Sequence, residues 1–236
     1  MYRKKKIVAI IPARKGSKSI KNKNLSLLGR KSLLEISAKF IKNIKFIDYS
    51  IITSDSSSYI DIARKNGIKD SLKRKTILSS DNAFIGNVID NVLKFLDNKK
   101  LKFDYILLIE PTSPFRKISD IKKVLNKIII ENAYSVFTIS KIDKKFHPMK
   151  ILKLINNKIQ YYSRKGKNIK NKQEIKNDFY FKNGLVYAIN AKKFRKKKLI
   201  ISSNSYPIVT KRDIVNIDSL IDLKWANFLY RNEKKN

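Results

Sequence analysis

Three features of the chain predict an α/β fold built on a mostly parallel central sheet. Short apolar runs rich in β-branched residues, such as Ile7-Val8-Ala9-Ile10-Ile11, alternate with stretches whose apolar residues fall at helical spacing. Strand followed by helix, repeated, is the order of right-handed βαβ units. The length, 236 residues at 42% hydrophobic, suffices for one full domain with a sizeable core and a small appendage.

The first strand, Ile7 to Ile11, ends at Pro12, where a ladder stops for want of an N–H. A helix begins near Ser32, carrying Leu33, Leu34, Ile36, Ser37, Phe40 and Ile41 along one stripe. Tyr49 to Thr53 reads as the second strand, and Ser57 to Asn66 as a helix with Gly67 at its C′ position. Ile68 to Leu72 is a shorter third strand. Ser80-Asp81 is placed to cap the helix that carries Ile85, Val88, Ile89, Val92, Leu93 and Leu96. Tyr105 to Ile109 is the clearest central strand, and Ser119 caps a helix through Ile130. Ser135 to Ile139 alternates as a strand.

From His147 to about Asn177 the pattern changes. Ile151 to Ile155, the turn Asn156-Asn157, and Ile159 to Tyr162 predict a hairpin, followed by a polar loop. The chain then returns with strands at Gly184–Ile189 and Tyr206–Val209, and closes with a helix from Ser219 to Arg231 in which Trp225 is expected in the core.

The 54 lysines and arginines outnumber the 19 acidic residues, for a net charge of +35. Such a charge suggests nucleic acid. However, the lysines are spread over every segment, accompany abundant Ile and Asn, and come without an RNA-binding aromatic signature or a helix-turn-helix. No nucleic-acid partner is therefore expected; a positive field instead attracts small anions. The chain has no cysteine, which excludes disulfides, thiolate metal sites and cysteine nucleophiles and fits a cytoplasmic setting. No apolar run is long enough for a membrane span.

Between the first strand and the first helix lies a loop with Gly16 and the cations Arg14, Lys15, Lys18, Lys21 and Lys23. A basic, glycine-containing loop at the carboxyl end of a strand suits a polyphosphate, although a basic surface loop is the plain alternative in a lysine-rich chain. The spacing is neither that of a Walker P-loop nor G-x-G-x-x-G.

The residues themselves say more. Pro12-Ala13-Arg14, Gly16-Ser17-Lys18, Ile20 and Lys23-Asn24-Leu25 resemble the signature of the CMP-sialic acid synthetases, the acylneuraminate cytidylyltransferases. Leu78-Ser79-Ser80-Asp81, Glu110-Pro111-Thr112-Ser113-Pro114-Phe115-Arg116, His147-Pro148-Met149-Lys150, Lys182-Asn183-Gly184 and Asn216-Ile217-Asp218 extend the likeness, in family order, over roughly residues 7 to 225. Relatives that activate KDO diverge after the opening motif, which favours the sialate-type branch.

The resemblance implies a Rossmann-like nucleotidyltransferase fold, one domain over residues 1–236, with residues 147–177 projecting as a dimerisation arm and hence a homodimer. It implies transfer of CMP from CTP to the anomeric hydroxyl of a nine-carbon 2-keto sugar acid, N-acylneuraminate or legionaminate-like, with release of pyrophosphate and help from Mg²⁺. Carried onto this sequence, Ala13, Arg14, Ser17, Lys18, Asn24, Arg74 and Asp81 would contact the nucleotide. Lys23, with Arg14 and Lys18, would neutralise charge on the phosphates during transfer. Glu110, Lys172 and Tyr187 fall on sugar-contact positions. Asn216 and Asp218, alternate residues of an extended segment, would face one Mg²⁺, with Asp213 as a further candidate. Glu110 stands where relatives often have glutamine, Lys172 where they have arginine, and Asn216 where they have aspartate. His147, which no motif pairs with a carboxylate, is read as structural. Within the fold class, other sugar nucleotidyltransferases, KDO-type enzymes included, are the rival; a glycosyltransferase would show a D-x-D pair that Thr53-Ser54-Asp55-Ser56 lacks. From another class, the rival is a non-catalytic basic protein that binds nucleic acid.

Overall fold

The computed structural model describes residues 1–168, 171, 174 and 177–233. The chain divides into two compact units. The first comprises Met1–Thr138, Asn183–Ile208 and Asp213–Asn236, and the second comprises Ile139–Lys182 and Val209–Arg212.

Along the chain the first elements are β1 (Ile7–Pro12), the two-residue strands β2 (Leu27–Leu28) and β3 (Lys31–Ser32), and helix α1 (Leu33–Lys42). Next come β4 (Tyr49–Ser54), α2 (Ser57–Lys65), β5 (Asp70–Lys73), α3 (Ile85–Asn98), β6 (Tyr105–Leu108) and α4 (Ile118–Ile130). After β7 (Ser135–Lys141) come β8 (Leu152–Ile155), β9 (Lys158–Tyr161) and β10 (Tyr180–Asn190). Helix α5 (Ala191–Lys197), β11 (Ser205–Thr210) and α6 (Leu220–Glu233) close the chain.

Seven strands form one sheet in the order β11-β7-β10-β6-β1-β4-β5. β1 pairs in parallel with β4 and β6, β4 in parallel with β5, and β10 runs antiparallel to β6. The apolar run of β1 is explained by burial on both faces, since Ile7 through Ile11 are all fully buried. Ile7, Ala9 and Ile11 face a core filled by Leu34 and Ile41 of α1, Tyr59 and Ala63 of α2, and Ile121 to Ile128 of α4. Val8 and Ile10 face the opposite core, filled by Ile89 to Leu96 of α3 and Phe194 of α5. The first unit is thus a three-layer helix–sheet–helix sandwich, as the alternation of strand and helix predicts.

A third, smaller cluster joins Ile20, Leu28, Leu33, Phe115, Val215, Ile217 and Ala226. It ties the basic loop, the segment after β6, the segment before α6 and α6 itself to one another, and Ile217 N–H donates to the Thr112 carbonyl at 2.8 Å. The loops at the carboxyl ends of the strands therefore share a floor.

Helix starts differ from the expected caps. Ser32 caps α1 through a capping box, its Oγ accepting from Glu35 N–H while Glu35 accepts from Ser32 N–H. For α3 the N-cap is Phe84 with no side-chain cap, because the helix starts at Ile85, four residues beyond Asp81. Helix α4 starts one residue before Ser119, with Lys117 N–H donating to Asp120 Oδ2 at 2.8 Å. Trp225 is 48% exposed and stacked on Phe228 at 5.2 Å rather than in the core. Residue Ala226, next to it, takes the buried position. Segment Asp213–Asp218 is extended but joins no sheet.

In the second unit, β8 and β9 form an antiparallel hairpin in which Leu152 pairs with Tyr161 and Ile155 with Lys158. Asn156 and Asn157 both have positive φ, 49° and 59°, as a two-residue hairpin turn requires. His147 is buried; its Nδ1 accepts from Met149 N–H and its ring stands edge-on to Phe179, so it stabilises a turn, as expected of a structural histidine.

Candidate active site

The carboxyl ends of three parallel strands, β1, β5 and β6, open onto one cavity of about 340 Å³. Pro12 at the end of β1 leads to Arg14, Lys23 and Asn24; Lys73 at the end of β5 leads to Arg74; Leu108 at the end of β6 leads to Glu110. Such an edge is where open α/β sheets receive ligands. Of the residues singled out in the sequence, Arg14, Ser17, Lys23, Asn24, Arg74, Asp81, Glu110, Asn216 and Asp218 line this cavity.

Others fall outside it. Ala13 is fully buried in the core, its N–H bonded to the Thr53 carbonyl. Lys18 is not a lining residue; its side chain is 87% exposed and held by Asp81. Tyr187 is buried, 7% exposed, and stacked on Phe137. Burial, and then the nearby Glu110 carboxylate, raises its pKa, so its phenol stays protonated. Asp213 is exposed and away from the cavity. Lys172 lies outside the described residues.

The basic loop is held by short polar contacts. Asn24 Nδ2 donates to the Arg14 carbonyl at 3.0 Å, and Lys15 N–H donates to Asp55 Oδ1 at 2.8 Å, so Asp55 after β4 anchors the loop. Arg14 Nη1 lies 2.5 Å from Asp81 Oδ1, and Lys18 Nζ 2.8 Å from Asp81 Oδ2. Hydrogen bonds from Lys18 and Arg14 hold the Asp81 pKa below its ordinary value.

Arg74 is the unusual cation. Only 8% exposed, it donates from Nε to Thr53 Oγ1 at 3.1 Å, and its Nη2 has no hydrogen-bond partner among the described residues. Burial pushes its pKa down to about 10, with Asp55 opposing and Arg14 adding to the fall. A guanidinium remains charged there at neutral pH, so a residue that lines the cavity carries one buried donor without a partner among the described residues.

On the far side, Val215 and Ile217 turn inward, leaving Asn216 and Asp218 to face the cavity as period-two alternation predicts. Lys23 Nζ bonds Asp218 Oδ1 at 2.8 Å. Asn216 turns Nδ2 towards Asp218 Oδ2 at 3.3 Å, and its Oδ1 accepts from Ser113 Oγ at 3.1 Å. Among the described residues no three histidines or carboxylates cluster as a ready-made metal cage. Asp218, its side chain 68% exposed, is the carboxylate this segment presents to the cavity, and Asn216 turns its amide nitrogen rather than its oxygen towards it.

Two residues not singled out as contacts complete the site. Gly184, at φ +70°, brings β10 so close that a Cβ there would meet Ser113 Oγ at 2.5 Å and Glu110 Oε2 at 2.8 Å. Arg116 is fully buried and donates to the carbonyls of Leu185 and Glu110 and to Ser37 Oγ, which pins the turn carrying Glu110. The Asn183-Gly184 pair and the arginine closing Pro114-Phe115-Arg116 were the sequence signals for both.

A family model described as Cytidylyltransferase matches residues 8–235. The chain belongs to the cytidylyltransferase family.

This cytidylyltransferase is 27% identical to the pseudaminic acid cytidylyltransferase of Campylobacter jejuni serotype O:2, over 96% of this chain and 97% of the relative. It is 28% identical to the CMP-N,N'-diacetyllegionaminic acid synthase of Legionella pneumophila, over 94% of each. Among solved structures it is similar to a CMP:2-keto-3-deoxy-manno-octonic acid synthetase complexed with CTP, with a TM-score of 0.68, 14% identity and coverage of 97% and 99%. That likeness concerns the fold, and the expected Rossmann-like nucleotidyltransferase architecture holds. No helix among the described residues is long and apolar enough to cross a membrane.

Proposed function

We propose that this cytidylyltransferase transfers CMP from CTP to a nine-carbon 2-keto sugar acid of the pseudaminate, legionaminate or sialate type, releasing pyrophosphate. The observation that carries the reading is the meeting of Arg14, Lys23 and Arg74 with Glu110, Asn216 and Asp218 around one cavity at the carboxyl edge of the sheet. Relatives that act on pseudaminic and legionaminic acids match along nearly their whole length, which supports the substrate class.

In this reading Arg14 and Lys18 release Asp81 and take the outer phosphates, while the unsatisfied Nη2 of Arg74 finds an acceptor on the nucleotide. Lys23, its side chain only 16% exposed, supplies a compact charge at the phosphorus under attack. The anomeric hydroxyl attacks that phosphorus, the bond to the departing pyrophosphate breaks, and the hydroxyl proton leaves to solvent. Asp218 and Asn216 would hold Mg²⁺, which when bound would neutralise charge on the leaving pyrophosphate. Glu110, turned by Arg116 and Gly184 toward the cavity, would accept hydrogen bonds from hydroxyl or N-acyl groups of the sugar. Lys172 would meet the sugar carboxylate.

The same proposal includes a homodimer formed through the second unit. All eight residues of β8 and β9 are exposed, with Leu154 at 71% and Ile159 at 72%, and a lone two-stranded hairpin is marginal in water. A cytoplasmic site of action, where CTP is available, completes it.

A pyrophosphate-release assay with CTP and a panel of pseudaminate, legionaminate, N-acetylneuraminate and KDO acceptors tests the reading. Release that depends on a nine-carbon acceptor is the expected result. Activity with KDO alone, or none with any acceptor, would overturn it. Light scattering on the same preparation reads the dimer.

A further inference from the structure

Two of the cations proposed for the triphosphate, Arg14 and Lys18, are already paired within the protein, and both to Asp81. Both of its oxygens are engaged, Oδ1 with Arg14 at 2.5 Å and Oδ2 with Lys18 at 2.8 Å. The residue has no capping duty, because α3 starts at Ile85 with Phe84 as its N-cap. Neither is it a core residue, since its side chain is 36% exposed. The segment holding it is a series of short turns, with Ala83 N–H donating to the Ser80 carbonyl at 3.1 Å. Asp81 therefore spends its charge on two cations of a loop some 65 residues upstream, on the rim of the cavity.

We propose that Asp81 is an internal stand-in for phosphate, holding Arg14 and Lys18 together before nucleotide binds and exchanged for the triphosphate when it does. The proposal rests on the reading of the cavity as a CTP site. A carboxylate offers the same planar pair of acceptors that two phosphate oxygens offer, and it keeps Arg14 from repelling the neighbouring guanidinium of Arg74. Once a triphosphate occupies the cations, the same carboxylate is a like charge beside it and has to swing away. Binding is then an exchange of acceptors. It selects for the most highly charged ligand, because one carboxylate competes poorly with three phosphates and well with one. The loop is kept ordered between turnovers at the expense of affinity.

This assignment differs in sign from a direct nucleotide contact. If Asp81 touched the nucleotide, its neutralisation would weaken binding. As a stand-in, its neutralisation removes a competitor and tightens binding.

Calorimetric titration of full-length wild type, Asp81→Asn, Asp81→Ser and Asp81→Glu with CTP and with inorganic tripolyphosphate decides between them. Two exposed ion pairs hold binding back by about three- to tenfold, so the Asn and Ser variants are expected to bind both ligands tighter by that factor. Asp81→Glu, which keeps the charge, is expected to bind within about twofold of wild type. Weaker or unchanged binding by Asp81→Asn and Asp81→Ser overturns the proposal. Should wild type bind no CTP and release no pyrophosphate, the functional reading fails, and the tripolyphosphate comparison still decides the role of Asp81.

Discussion

Lys23 Nζ and Asp218 Oδ1 lie 2.8 Å apart although 195 residues separate them along the chain. The pair joins the basic loop to the segment before α6, and both ends rest on the small core that contains Ile20, Val215 and Ile217. Burial is uneven across it, with the lysine side chain 16% exposed and the carboxylate 68%. A largely covered ammonium on an exposed, easily rehydrated partner is a charge held in place for another ligand. Lys23→Ala is therefore expected to lower kcat for pyrophosphate release by about 10²- to 10³-fold with a much smaller change in CTP affinity. Stopped-flow release combined with equilibrium binding separates the two. An equal loss in both would show that Lys23 only binds.

Arg74 gives a prediction in which stability and binding part company. It is buried with one donor unsatisfied among the described residues, and burial lowers its pKa to about 10, so its charge costs the fold more than its bond to Thr53 returns. Replacing it by an apolar side chain of similar reach relieves that cost. Arg74→Met is expected to melt at the same temperature as wild type or higher, while binding CTP at least about tenfold more weakly. Thermal melts with and without CTP check both halves at once. A large drop in melting temperature would make Arg74 a structural residue.

Much of this site was legible in the sequence because it depends on short-range rules. The run Ile7 to Ile11 reads as a doubly buried strand from its composition, and the facing of Asn216 and Asp218 follows from period-two alternation against Val215 and Ile217. What failed were the choices that tertiary contacts settle. Ser80-Asp81 has the chemistry of a cap, but α3 starts at Ile85, beyond its reach, and the carboxylate pairs instead with two cations of a distant loop. Trp225 carries the largest apolar ring in α6, yet Ala226 is the residue that fits against Ile20, Leu28 and Val215. Helix α5 went unread because AKKFRKK buries only Ala191 and Phe194, too few for a periodic stripe. Its one local signal was Asn190, whose side chain caps it by accepting from Lys193 N–H at 3.0 Å.

Asn216 stands beside Asp218 with its amide nitrogen rather than its oxygen turned to the carboxylate. Asn216→Asp would set two carboxylates side by side and raise the local demand for a cation. The variant is expected to reach half-maximal pyrophosphate release at about tenfold lower Mg²⁺, and to gain thermal stability on Mg²⁺ addition without nucleotide. Wild type, with one carboxylate already paired to Lys23, is expected to gain none. A variant indifferent to Mg²⁺ in both measurements would remove this segment from metal binding.

A last relation concerns the edge of the sheet farthest from β11. Asp70 on β5 accepts from Tyr49 Oη at 2.8 Å and from Lys99 Nζ at 2.5 Å. Burial acts to raise the Asp70 pKa, but the hydrogen bonds from Lys99 and Tyr49 outweigh it, and the net value lies below the ordinary 3.8. Burial and then Asp70 push the Tyr49 hydroxyl up to about 12 from 10.0. Each shift has its own sign. For Asp70 the folded value is the lower one, so its contribution to stability is complete above the unfolded pKa and is lost as pH falls through the depressed folded value. For Tyr49 the folded value is the higher one, so its contribution is complete below pH 10 and is lost as pH rises towards about 12. Urea midpoints measured across pH should therefore fall at both extremes, and Asp70→Asn should flatten both limbs relative to wild type. If the variant flattened neither limb, the contacts made by Asp70 would carry no linkage, and its place between Tyr49 and Lys99 would be packing alone.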